Sequence, residues 1–148
     1  MKASDFFTAQ QKTEIVEAIK TAEHETSGEI RVHIELKCKG DVLDRAAKVF
    51  AMLKMHKTQL RNGILFYLAV ENQKFAVIGD AGINKVVHPE FWKSIKDAME
   101  EFFKQGKFTE GLVHGILSAG EQLKAFFRYE IDDVNELSDD ISFGKEEN

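Results

Sequence analysis

The sequence predicts an α/β fold in which a small mixed β-sheet is sandwiched between α-helices (α/β/α), in the order α-β-α-β-β-α-α. Three observations carry this. Residues 29–36 alternate strictly between polar and apolar side chains. Two wholly apolar runs, residues 64–70 and 75–78, flank a turn-like segment at 71–74. The remaining long segments carry apolar stripes at helical spacing.

Thr8 caps the first helix, with Gln11 three residues on as in a capping box, and Ile15, Ala18, Ile19 and Ala22 recur on one face. Ser27-Gly28 breaks that helix. In the strand that follows, Ile30, Val32, Ile34 and Leu36 face one way and Glu29, Arg31, His33 and Glu35 the other. This is the pattern of a half-buried, non-central strand. Asp41 is the N-cap of a second helix with Ala46, Val49, Phe50 and Leu53 on its inner face, ending near His56. The hairpin strands show no alternation, as expected of strands covered on both faces. Pro89 opens a third helix with a Trp92, Ile95, Met99, Phe102 and Phe103 stripe, and Thr109 is the expected cap of a fourth. Gly111 and Gly115 let that last helix lie close to a neighbour.

Composition excludes several classes. No apolar run approaches the ~18–20 residues of a membrane span, and the first dozen residues lack the apolar region of a secretory signal. The one cysteine, Cys38, rules out an internal disulfide and an all-cysteine metal site, and fits a reducing cytoplasm. Residues 130–148 hold eight acids against Lys145, or −7; against the chain's net −5 this leaves the rest at about +2. A near-neutral body with no clustered basic face argues against nucleic acid. The expected organisation is one domain over residues 1–129 and an acidic tail. Val134, Leu137, Ile141 and Phe143 intersperse that tail and offer it a way to pack back.

A strand-helix-strand succession implies a parallel crossover, and the hairpin adds an antiparallel strand. The starts of the first two strands and the end of the third then share one edge. Ser27, Gly28, Glu29, Arg61, Asn62 and Asp80 converge there, a candidate binding site. Asp80, Glu29 and Asn62 are the oxygen donors for a hard cation, Ca2+ or Mg2+, which needs several such ligands. Arg61 is either an anion contact or the partner that pins Glu29 or Asp80. In the turn 79–82 the glycines supply positive φ, or their amides face an anion. The opposite edge, with Cys38, Asp41, Asp44, Glu71 and Asn72, is a second and weaker candidate. Lys37 and Lys39 would lower the Cys38 pKa if all three were exposed. Of His24, His33, His56, His88 and His114, no two have zinc-like spacing. No nucleophile elbow, P-loop or GxGxxG is present.

Five segments together carry a family resemblance: Ser27-Gly28-Glu29-Ile30-Arg31-Val32, Asn62-Gly63, Ile78-Gly79-Asp80-Ala81-Gly82-Ile83, Phe108-Thr109-Glu110-Gly111-Leu112, and Asp133-Val134-Asn135-Glu136-Leu137. In order and spacing the chain resembles the TPM domain family over most of residues 5–127, and its closing segment resembles the short, soluble bacterial members. The resemblance implies an α/β/α sandwich, divalent cation binding (calcium especially), and the acid phosphatase activity proposed for plant thylakoid members in photosystem II repair. Other members are membrane-tethered, and bacterial ones accompany LemA-type membrane proteins. The chain departs from the family at Arg61, where many members have Asn, and at Asn84 and His88-Pro89, where many have acids. Three functions are therefore expected: a cytoplasmic module that binds a divalent cation weakly in a binding or scaffold role; a metal-assisted phosphatase with Arg61 on the phosphate; or an adaptor for a membrane-associated protein complex, itself not membrane-inserted.

Overall fold

A computed structural model of the chain describes residues 1–128 and 136–144. Its elements are α1 (Ala9–Glu25), β1 (Glu29–Glu35), α2 (Val42–Met52), β2 (Gly63–Ala69), β3 (Lys74–Gly79), α3 (Ala81–Asn84), α4 (Pro89–Lys104), α5 (Phe108–Leu123) and β4 (Ser142–Phe143). Short 3-10 turns lie at Ala3–Asp5 and Met55–Lys57. The sheet order is β3-β2-β1-β4, with β1 parallel to β2 and β4, and β3 antiparallel to β2.

Local chemistry explains the boundaries. Thr8 and Gln11 form the reciprocal capping box at α1, and Asp41 accepts from the amides of Leu43 and Asp44 at α2. Pro89 sits in the first turn of α4 behind His88. At α5 the cap falls on Lys107, whose side chain makes no capping bond, and the expected cap Thr109 is instead buried in the first turn.

β2 shows why the hairpin lacks alternation. Ile64, Phe66 and Leu68 join Ile30, Val32, Ile34 and the apolar faces of α1, α4 and α5 in one core. Leu65, Tyr67 and Ala69 turn the other way, onto Ala46 and Val49 of α2. Each large apolar side chain fully buried this way stabilises the fold by about 1.5–3 kcal/mol. Phe91, absent from the expected α4 stripe, is buried with Ile95 and Met99, while Trp92 is only partly covered. α5 packs between α1 and α4. A Cβ on Gly115 would stand 2.5 Å from Met99 Sδ, and one on Gly111 2.5 Å from Phe103 Cε1, so these glycines do allow close helix contact.

One expectation is corrected. β1 is an interior strand, flanked by β2 and β4, and its polar face is buried too: Glu29, His33 and Glu35 are 4%, 4% and 6% exposed. Residues 136–144 produce this burial. Leu137 packs with the α2-side core, and Ile141 and Phe143 pack with the other.

Candidate functional site

The parallel register sets Glu29 opposite Gly63, and the antiparallel one sets Gly79 opposite Ile64, so the expected edge exists. The backbone closes it: Glu29 N donates to Asn62 O, and Asp80 N donates to Gly63 O. Asn62, 2% exposed, donates from Nδ2 to Ser27 O at 3.2 Å.

Asp80 and Arg61 form a two-point ion pair here, and Asp80 Oδ1 also accepts from Ala81 N at 2.7 Å as the N-cap of α3. Burial alone would raise the Asp80 pKa, but Arg61 and the Ala81 amide outweigh it and hold it below the ordinary Asp range. Neither Gly79 nor Gly82 has positive φ. They are glycines for lack of room: a Cβ on Gly79 would lie 2.5 Å from the Trp92 ring, and one on Gly82 2.6 Å from Arg61 O.

Glu29 has different partners. Its Oε1 accepts from the backbone amides of Glu136 and Leu137, the second at 2.8 Å. Its Oε2 is buried and has no hydrogen-bond partner among the described residues. The Glu136 carboxylate stands beside it and accepts from Gln59 N. Burial is the main cause that pushes the Glu29 carboxyl up to about 7; the two amides oppose the shift and the Glu136 carboxylate reinforces it. Glu29 and Asp80 thus share an edge but no partner. Of the tail residues, Asp133 and Asn135 lie outside the described residues.

Further contacts fasten residues 136–144 along β1. Glu23 accepts from Ile30 N and hydrogen-bonds Asp139, and burial together with that carboxyl partner pushes it up to about 9. Arg31 Nη2 donates to Asp140 O at 3.4 Å, and Gly144 N donates to Ile34 O.

The opposite end holds a group the sequence did not single out. Glu35, assigned to a solvent face by alternation, receives Tyr67 Oη and two nitrogens of Arg45, and His33 Nε2 lies 3.1 Å from its Oε1. Burial works against ionisation, but the His33, Arg45 and Tyr67 hydrogen bonds prevail and hold Glu35 at about 2. Cys38 is 3% exposed, so it is not the exposed thiol on which a lysine-lowered pKa depended. The available signal was period-two spacing: His33 and Glu35 share a face with Arg31 and Glu29, and four titratable groups in a row suit a polar site as well as they suit solvent.

Among the described residues no three His, Cys, Asp or Glu side chains form a cluster able to hold a metal. No helix among them is long and apolar enough to cross a membrane.

These features define a small three-layer α/β/α domain with a polar, partly closed sheet edge. The chain belongs to the TPM domain family, whose model matches residues 1–122. It is similar to the BA42 protein of the psychrophilic bacterium Bizionia argentinensis, with 49% identity, TM-score 0.91, and coverage of 97% of this chain and 99% of that one. Two N-terminal domains share the fold at low identity. One, from a P. gingivalis protein, has 16% identity, TM-score 0.69 and coverage of 85% and 82%. The other, from the cg2496 protein of Corynebacterium glutamicum, has 12% identity, TM-score 0.65 and coverage of 97% and 83%. Among curated proteins none matches the chain.

Proposed function

We propose that this TPM domain is a binding module for a divalent cation, Ca2+ or Mg2+, taken up weakly where residues 136–144 meet β1. The observation that supports it is Glu29 Oε2, a buried carboxylate oxygen without a partner, with a second carboxylate, Glu136, beside it. A buried carboxylate oxygen without a partner is costly, and a hard cation removes that cost while satisfying both acids. Glu29 and Glu136 would hold the ion, with backbone carbonyls and water completing its shell. Asn62 flanks the position, and Asp80 joins only by exchanging Arg61 for the ion. Once bound, the cation supplies positive charge that ties the C-terminal segment to the sheet, which suits a scaffold whose docked surface depends on the ion. No observation favours the phosphatase reading, because Nε and Nη2 of Arg61 both point at Asp80.

Amide shifts of the full chain during Ca2+ and Mg2+ titration test this. Saturating shifts at Glu29, Glu136 and Leu137 are expected, with Kd of roughly 10⁻⁴–10⁻³ M as for weak calcium modules, and they should vanish in Glu29→Gln. Amides there that stay still through that range would end the cation reading.

A further inference from the structure

We propose that Ser142, His33 and Glu35 form a nucleophile–base–carboxylate relay that accepts an acyl group from a small carboxylic ester. Ser142 Oγ lies 2.9 Å from His33 Nδ1, and His33 Nε2 lies 3.1 Å from Glu35 Oε1. The arrangement follows from strand register. Ser142 on β4 pairs with His33 on β1, which pairs with Tyr67 on β2, so the three side chains stand in a row on one face. The His33 and Tyr67 rings stack at 6.0 Å.

Hydrogen-bond chemistry sets the direction of the relay. Arg45 and Tyr67 both donate to Glu35, which keeps it ionised and able only to accept. In the neutral imidazole that places the proton on Nε2 and leaves Nδ1 as an acceptor. The only proton available for the 2.9 Å contact is that of Ser142, so the hydroxyl points at the base. This is the polarity that activates a serine, with Glu35 as the positioning residue.

The relay opens into a cleft of about 810 Å³ between α2 and β4. Met52 and Leu53 give it an apolar wall, and Lys39 and Lys48, in no ion pair among the described residues, add positive charge. Ser142 is partly exposed, whereas His33 is buried behind it. In the step itself Ser142 Oγ bonds to the carbonyl carbon while its proton passes to His33 Nδ1. Negative charge develops on the carbonyl oxygen, in a cleft whose lining carries Lys39 and Lys48 as well as Asp41 and Asp44. The C–O bond to the leaving alcohol then breaks, the alcohol takes the proton from His33, and an acyl-serine remains. Water repeats the sequence and releases the acid.

The test uses the full chain with p-nitrophenyl acetate, intact-mass analysis and peptide mapping. A burst of p-nitrophenolate approaching one equivalent is expected, with the acetyl group on Ser142. The burst rate should rise with pH through one ionisation and fall about 100-fold or more in Ser142→Ala and in His33→Asn, the usual minimum contribution of a general base. Thermal melts verify that each variant is folded. Long-range 1H–15N spectra read the His33 tautomer independently of turnover, and Nε2–H is expected. Acetylation confined to lysines, a burst unchanged in folded Ser142→Ala or His33→Asn, or a His33 proton on Nδ1 would each overturn the proposal.

Discussion

Arg61 Nε lies 2.7 Å from Asp80 Oδ2 and Arg61 Nη2 lies 2.8 Å from Asp80 Oδ1, a parallel fork between the residue that enters β2 and the one that leaves β3. The pair clamps the two ends of the hairpin, 19 residues apart in sequence. It also occupies the carboxylate that the sequence offered as the anchor ligand for a cation at this edge.

Replacing Arg61 by Asn separates those two roles. Arg61 has φ 51°, in the left-handed region that Asn tolerates better than most residues. The substitution therefore removes the guanidinium and keeps the backbone. Only a small stability loss is expected, since Arg61 is half exposed and solvent screens the pair. Under the cation proposal, Ca2+ titration of Arg61→Asn should add shifts at Asp80 and Ala81 that the parent chain lacks. Asp80→Ala should cost more than Arg61→Asn, because it also removes the cap on α3.

Stability should fall as pH rises from about 5 to 8. Glu29 keeps its proton in the folded chain up to about 7 but loses it near 4.5 when unfolded. Between those values the native state holds the extra proton, so rising pH favours unfolding. For Glu29 the full effect is on the order of 3 kcal/mol. Glu23 extends the same trend toward about 9. Hydrogen exchange at Leu137 and Asp140 should accelerate over this window before the core of β2 does. In Glu29→Gln the fall below pH 7 should be shallower, the remaining slope being carried by Glu23.

Gly82→Ala is expected to destabilise by about 3 kcal/mol, the upper range for overpacking, because the backbone carbonyl oxygens of Leu60 and Arg61 occupy the space its Cβ would need. Gly40→Ala makes a useful comparison, since nothing lies within 4 Å of a Cβ there and only its φ of 79° opposes the change. Denaturant midpoints of the two variants separate crowding from backbone conformation.

Glu35→Gln should cost about 3–5 kcal/mol, the usual penalty for breaking a buried ion pair. Arg45→Met should be similarly damaging, because it strands the carboxylate. The double variant should lose less than the sum, and a double-mutant cycle measures the difference. With Glu35 at about 2 folded and 4.5 unfolded, its contribution is present above pH 4.5 and disappears as pH falls through 2.

Particular residues show how far the sequence could be read. Thr8 with Gln11, Asp41 and Pro89 marked helix starts because capping is local chemistry within four residues. The apolar hairpin announced two covered faces, and topology then brought Glu29, Asn62 and Asp80 to one edge. The sequence also offered Asp80 as a partner of Arg61. β4 was not foreseen: it is two residues long, and its stability comes from pairing with a strand 109 positions away. Alternation in β1 marked Glu29, His33 and Glu35 as polar, but could not tell water from a buried network.

The sequence by itself determined the α/β/α architecture, the order of its elements and the edge at which polar residues meet. Periodicity and caps are near-neighbour properties, and strand direction follows from chain connectivity. Only the tertiary structure decided the use of each polar group. It spent Asp80 on Arg61, left Glu29 Oε2 buried without a partner, and set Ser142 against His33. Those outcomes depend on desolvation and on contacts between residues far apart in the chain, and residues 136–144 create both by folding back over the polar face of β1.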